Sequence, residues 1–268
     1  MLRDMRHVLI TGAGSGIGRA LALEASARCM RVAICGRRKD ALQETAELTG
    51  AAKAILILPA DLTVSAERQA LAGKLVRAWG RLDILMNNAG CVIGGDLAAT
   101  SDAMLDTILD TNVVAPIALT RDLAPLLLAS DQARVVNVGS MFGDIAYPGF
   151  ASYSASKHAL RGFSDALRRE WKNRGIGVTY AAPRATRTPA AAAFGDLIRD
   201  TGMRLDDPEQ VARRIWHATL SGADTVYPRG AESAFVLLQR LFPRVIDRAL
   251  ARQRPSAAVS APKPISAT

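Results

Sequence analysis

Aromatic side chains make up only 5% of this 268-residue chain, with three tryptophans and four tyrosines. Basic residues, mostly arginine, outnumber acidic ones by 34 to 25, a formal charge of +9. No block of about five or six like charges occurs. A basic surplus can serve nucleic acid, an anionic membrane or phosphorylated ligands. Without charge blocks or abundant aromatics, nucleic-acid binding is not expected. Cysteine is scarce: Cys29, Cys35 and Cys91 are an odd number without paired or metal-type spacing, and read as reduced, buried thiols of a cytosolic protein. His7, His158 and His217 stand alone, so no metal site is expected. No apolar run approaches the ~18 residues that span a bilayer, and a glycine-rich turn follows Leu9 and Ile10 where a signal peptide would continue. The expected location is cytoplasmic.

The length suits one large α/β domain with a substantial core, and 49% apolar with 22% charged residues is the balance of a soluble globular chain. Short apolar runs at residues 7–11, 31–35, 54–59, 82–86, 134–138 and 176–182 read as strands. Helical spacing runs over 17–28, 39–48, 63–79, 103–128 and 151–173, with Pro116 a bend in the fourth. Strands alternating with helices of this length predict a parallel sheet covered on both faces. No repeat or linker divides the chain, so residues 1–230 are expected to form one domain. Residues 254–268, rich in Pro, Ser and Ala, read as a disordered tail.

Gly12, Ala13, Gly14, Ser15, Gly16, Ile17 and Gly18 fall between the first strand and the first helix. Glycines there let the backbone approach a pyrophosphate, which rests on the helix N-terminus; a plain tight turn is the other reading. An NAD enzyme would carry an acid at the end of the second strand. Here Arg37 and Arg38 stand instead. Two guanidiniums suit a 2′-phosphate through bidentate hydrogen bonds, so NADP(H) is favoured over NAD(H), unless the pair is only a solvated helix start.

Tyr153 and Lys157 are four apart, so on a helix they share a face. A free tyrosine titrates near ~10, and a nearby ammonium favours its phenolate, bringing it towards acid/base work on an alcohol or ketone. Ser140 ends the apolar run at 134–139 and could hydrogen-bond the same oxygen. Alone, the pair could be a solvated helix face.

Together these motifs closely resemble the short-chain dehydrogenase/reductase family. The resemblance runs from about residue 6 to 188, roughly two-thirds of the chain, through residues 11–18, Asp61-Leu62, residues 87–90, Asn112, Ser140, and Tyr153 with Lys157. It implies a Rossmann-type, doubly wound fold and hydride transfer between nicotinamide and a carbonyl or secondary alcohol. By matching position, Tyr153 would be the general acid/base, with Lys157 on the nicotinamide ribose. Ser140 would orient the carbonyl, and Asn112 would sustain a proton-relay water. Asp61 would meet the adenine amino group, beside Leu62. Asn88, Ala89 and Gly90 would line the cofactor, and Pro183 and Thr188 would sit near the carboxamide; Asn87 would be structural. The three-residue gap between Tyr153 and Lys157 resembles carbonyl/alcohol enzymes more than enoyl reductases. The family habit implies a homodimer or homotetramer.

Two departures stand out. Pro183-Arg184 replaces the family's usual Pro-Gly, and Arg184 could contact the cofactor or an anionic part of the substrate, or be solvated. Residues 231–253 then read as an amphipathic helical extension split by Pro243, with Arg240, Arg244, Arg248 and Arg252 along one face. Such an extension can lie on an anionic membrane, cap the active site or form a subunit interface. With the apolar residues 189–202 it suggests a lipophilic ketone substrate. A β-ketoacyl group on an acidic carrier is an alternative, and a non-catalytic NADP(H)-binding sensor or scaffold is a second class.

Overall fold

Five-residue apolar runs bounded by glycine or polar residues leave little choice but buried strands, and the molecule is built on them. The structure, a computed structural model, describes residues 5–195, 198 and 204–251. Seven strands, β1 (His7–Thr11), β2 (Arg31–Gly36), β3 (Leu56–Pro59), β4 (Ile84–Asn87), β5 (Arg134–Val138), β6 (Gly177–Ala181) and β7 (Thr225–Val226), pair in parallel in the order β3-β2-β1-β4-β5-β6-β7. The order reverses between β1 and β4, and the crevice beyond the carboxyl ends of such strands is where this architecture takes ligands.

Among the described residues the α-helices are α1 (Gly16–Ala27), α2 (Lys39–Leu48), α3 (Ser65–Trp79), α4 (Asp102–Leu109), α5 (Ala115–Asp122), α6 (Ala124–Leu128), α7 (Ala151–Glu170), α8 (Pro208–Ser221), α9 (Glu232–Leu241) and α10 (Pro243–Ala251). Alternation along each strand sends side chains to opposite faces. Val8, Ile10, Val32, Ile34, Ile84 and Met86 pack under α1, α2 and α8. Leu9, Ala33, Leu85, Val135 and Val178 pack under α3, α5, α6 and α7. The sheet is therefore buried on both sides, as the alternation of strands and helices predicts.

Several elements differ from the sequence reading. Helix α8, for which the sequence reading has no element, is started by Asp207, whose side chain accepts from Glu209 N, and stopped by left-handed Gly222. Its Trp216 is fully buried and donates to the Leu21 carbonyl at 3.0 Å, fixing α8 to α1. The long helix expected over 103–128 runs without a gap past Pro116 and is interrupted instead at Leu123. Residues Asp110–Val114 form a π turn, and Pro116 sits in the first turn of α5. Proline has no N–H for the carbonyl four residues back, that of Asn112, so the ladder there widens. The stretch Asp102–Asp122 is long and apolar enough to cross a membrane, against the expectation that no stretch reaches that length. It packs instead against α7 and α3. Cys35 and Cys91 are buried, whereas Cys29 is exposed in a left-handed turn after α1. Leu197 and Arg252, and the tail expected over 254–268, lie outside the described residues.

Candidate active site

The floor of the crevice is the turn after β1. Gly12 and Gly16 have φ of +65° and +54°, a region glycine enters without strain. A Cβ on Gly18 would stand 2.1 Å from the Gly12 carbonyl oxygen. The turn is stitched to the loop after β4: Thr11 Oγ1 accepts from the amides of Asn88 at 2.9 Å and Ala89 at 3.0 Å, and Asn88 Nδ2 donates to Thr11 O at 2.9 Å. Below this, Asn87 Nδ2 donates to Thr120 Oγ1 and Asn137 Oδ1, tying β4 to α5 and β5 as a structural bridge.

Two adjoining depressions open above that floor and share Gly12, Ala89 and Gly90. One is lined by Gly36, Arg37, Arg38, Asp61 and Leu62. The other is lined by Ser15, Gly16, Ile17, Gly18, Asn88, Ser140, Tyr153, Lys157, Pro183 and Thr188. The residues singled out from sequence, more than a hundred positions apart in some cases, thus line one continuous groove, with the exception of Asn112. The groove suits a dinucleotide: a side-chain-free cradle in the middle, backed by the N-terminus of α1, and two guanidinium groups at one end. Both ends differ in chemistry, cationic at Arg37 and Arg38 and phenolic at Tyr153.

Asn112 lies behind the wall and is fully buried. Its amide brackets Cys91, accepting from the Cys91 amide and donating to the Cys91 carbonyl, each at 2.9 Å, and it donates to Ser156 Oγ at 3.0 Å. Its side chain is therefore committed to protein groups.

At the reactive end, Ser140 follows β5, and Tyr153 and Lys157 project from the first turns of α7, all three buried. Lys157 Nζ lies over the Tyr153 ring, 5.7 Å from its centroid, and donates to the Val138 carbonyl at 3.3 Å. Burial is the largest influence on the pKa of both Tyr153 and Lys157. Burial pushes Tyr153 up to about 12, with a hydrogen bond to Ser140 opposing it, and burial lowers Lys157 to about 8. Desolvation penalises the charged form of each group.

The sequence reading missed three features here. Tyr180, on β6 and 1% exposed, holds the Ser140 backbone with its hydroxyl. Phe142, Tyr147, Phe150 and Phe194 form a ring cluster beside Tyr153; Phe150 and Phe194 stack at 5.0 Å, and Phe194 meets Tyr153 edge-on at 6.2 Å. In a chain so poor in aromatics, five of the ten Phe and Tyr residues meet here, a concentration composition alone could have flagged only if their convergence were known. Third, Asp206 and Glu232 hold the guanidinium of Arg184, a crevice-lining residue that the sequence singled out without its partners. None of the three histidines lines either depression; His7 stacks on Trp79 at 5.0 Å. Among the described residues, no three His, Cys, Asp or Glu side chains are grouped to hold a metal.

This geometry has close counterparts. A family model described as short chain dehydrogenase matches residues 6–196. The bovine protein "Dehydrogenase/reductase SDR family member 7B" is 33% identical over 259 residues, covering 91% of this chain and 80% of that protein. The crystal structure of a short chain dehydrogenase/reductase from Burkholderia phymatum in complex with NAD superposes with a TM-score of 0.82 at 26% identity, covering 96% of this chain and 98% of the other. A crystal structure of a point variant of actinorhodin polyketide ketoreductase with NADPH superposes with a TM-score of 0.76 at 28% identity, covering 83% of this chain and 94% of the other.

Proposed function

The chain belongs to the short-chain dehydrogenase family and is a nicotinamide-dependent oxidoreductase of CH–OH/C=O groups; we propose that it is an NADP(H)-preferring reductase of lipophilic ketones. The observation that carries the reading is the meeting of Ser140, Tyr153 and Lys157 at one end of a groove whose other end holds Arg37 and Arg38.

A reduced nicotinamide in that groove supplies the hydride. Arg37 and Arg38 grip the 2′-phosphate as paired hydrogen-bond donors. The turn at Gly12, Ser15, Gly16, Ile17 and Gly18 carries the pyrophosphate on the N-terminus of α1, and Asp61 with Leu62 receives the adenine. Asn88, Ala89 and Gly90 line the middle of the groove, and Pro183 and Thr188 hold the carboxamide. Lys157 holds the ribose. Ser140 donates to the substrate carbonyl oxygen, and Tyr153 gives that oxygen its proton as the carbon takes the hydride. Asn112 would hold the water through which bulk solvent restores the Tyr153 proton. The donors are fixed before reaction, so they stabilise developing alkoxide charge without reorganising.

Apolar lining supports the substrate class: Val92, Ala190, Ala191 and Phe194 surround the phenol end. The same reading extends to assembly. Exposed Leu109, Val114 and Ile117 favour a homodimer or homotetramer. Exposed Phe235, Leu237, Leu241, Phe242 and Val245 on α9 and α10, flanked by Arg244 and Arg248, favour peripheral contact with an anionic membrane.

The test is oxidation of NADPH and of NADH against a panel of ketones of rising size. Turnover is expected with NADPH preferred, and it should be lost in Tyr153→Phe while NADPH still binds. Cofactor binding without turnover of any ketone by the wild type would instead mark a sensor or scaffold.

A further inference from the structure

Helix α9 is joined by ion pairs to two segments that border the reactive crevice, one at Arg184 and one at Asp144. At its N-terminal end Glu232 pairs with Arg184. Arg184 also grips Asp206 Oδ1, through Nε at 2.9 Å and Nη2 at 2.7 Å. Asp206 closes a loop on itself: its amide donates to Ala185 O at 2.9 Å, and its carbonyl accepts from Arg187 N at 2.8 Å. Thr188 and Phe194, which line the substrate end of the crevice, ride on that loop. The base of the loop is therefore an Arg184–Asp206 pair extended by Glu232.

At the other end of α9, Arg240 Nη2 donates to Asp144 Oδ1 at 3.2 Å. The same oxygen accepts from Arg161 at 3.2 Å and from the Tyr227 hydroxyl at 3.0 Å. The Asp144 side chain is only 3% exposed. It stands four residues after Ser140 in a turn locked by Gly143 N to Ser140 O at 2.9 Å and Asp144 N to Met141 O at 3.0 Å. Arg161 completes the circuit, lying 4.7 Å over the ring of Tyr180, whose hydroxyl holds Ser140. A buried carboxylate is stable only while its donors stay in place, so the position of α9 and the position of the Ser140 turn are linked.

We propose that α9 is a brace for the active site, and that Arg240 and Asp144, and Glu232 and Arg184, are positioning residues. The first pair holds the turn that presents the Ser140 hydroxyl. The second holds the base of the segment that carries Thr188 and Phe194. The arginine at position 184, where the resemblance leads one to expect glycine, is the anchor that makes the second bridge. The kinetic part of the proposal rests on the ketone-reductase reading; the mechanical part does not.

The experiment uses the full chain with Arg240→Ala, Arg240→Lys and Glu232→Gln, read by hydrogen exchange and by steady-state kinetics with NADPH and a ketone. Arg240→Ala is expected to speed exchange over residues 140–145 about tenfold, with residues 189–195 as in the wild type. It should lower kcat about fivefold with the NADPH KM unchanged, and Arg240→Lys should recover most of both effects. Glu232→Gln should act on the other limb, speeding exchange over residues 189–195 and raising the ketone KM about fivefold at constant kcat. Exchange within about twofold of wild type in both segments overturns the brace. So does faster exchange spread equally into β1 and α1, which marks general loosening. If the wild type reduces no ketone, the functional reading falls, and exchange alone still decides the brace.

Discussion

The hydroxyl of Tyr180 bridges the two backbone polar groups of Ser140, donating to its carbonyl oxygen at 3.2 Å and accepting from its amide at 3.4 Å. The contact is tight enough that a Cβ on neighbouring Gly139 would stand 2.3 Å from the Tyr180 ring and hydroxyl. Ser140 is thus placed by a residue on the next strand as well as by its own turn. Tyr180→Phe keeps the ring and removes the bridge. It is expected to lower stability by about 1–2 kcal/mol, the penalty of stranding a buried donor, the Ser140 amide, and kcat about tenfold with little change in the NADPH KM. Denaturant melts and steady-state kinetics on the same preparation check both.

Lys157 yields a prediction in the opposite direction. Burial lowers it from 10.5 to about 8. Below pH 8 the ammonium is charged in both the folded and the unfolded chain, and the fold bears its full desolvation penalty. Between 8 and 10.5 the folded chain releases the proton first, so this group's contribution to stability improves as pH rises. Lys157→Met is therefore expected to be more stable than wild type at pH 7, by at most about 3 kcal/mol, and to lose that advantage towards pH 10. Turnover should fall by about a thousandfold. Paired thermal melts at the two pH values decide it, and a variant less stable than wild type at pH 7 would contradict it.

Cofactor choice is expected to rest on the cationic end of the groove. Arg37 and Arg38 are both exposed at its mouth. Arg38→Asp should raise the KM for NADPH at least about tenfold, through lost donors and added repulsion, and leave that for NADH nearly unchanged. Equal effects on the two cofactors would mean that the pair does not meet the 2′-phosphate.

Helices α9 and α10 expose Leu241, Phe242 and Val245 at 61%, 60% and 47%. Full-length protein should co-sediment with vesicles containing phosphatidylserine, less so at high salt, and not with neutral vesicles. A chain ending at Gly230, or Phe242→Asp with Val245→Asp, should remain in the supernatant. Equal sedimentation of all forms would remove the membrane contact.

Much of this is legible in the chain itself. β1, α2 and β5 occupy the residues their apolar runs and breakers mark, because strand and helix period and the glycine and proline stops are local properties. Helix α8 escapes the reading, although Asp207-Pro208-Glu209 carries the start signal of an N-cap, a first-turn proline and an acid; its buried stripe is interrupted in sequence by Arg213, Arg214 and His217. The irregularity expected at Pro116 takes the form of the π turn just upstream, where the ladder adjusts to the missing proline N–H, while the interruption at Leu123 is not foreseen. The partners of Arg184 are not legible at all. Asp206 and Glu232 lie 22 and 48 residues away, and no local pattern ties them to it.

The linear order of residues determined the strand and helix alternation, the glycine cradle after β1, and the placing of Tyr153 and Lys157 on one helix face, since each follows from spacing over a few residues. Only the tertiary structure decided that Tyr180 holds Ser140, that α9 reaches Asp144 and Arg184, and that burial moves the tyrosine and lysine pKa values away from neutral chemistry's first expectation. Those outcomes depend on which distant groups exclude water together, and desolvation is a property of the packed molecule rather than of any short stretch of chain.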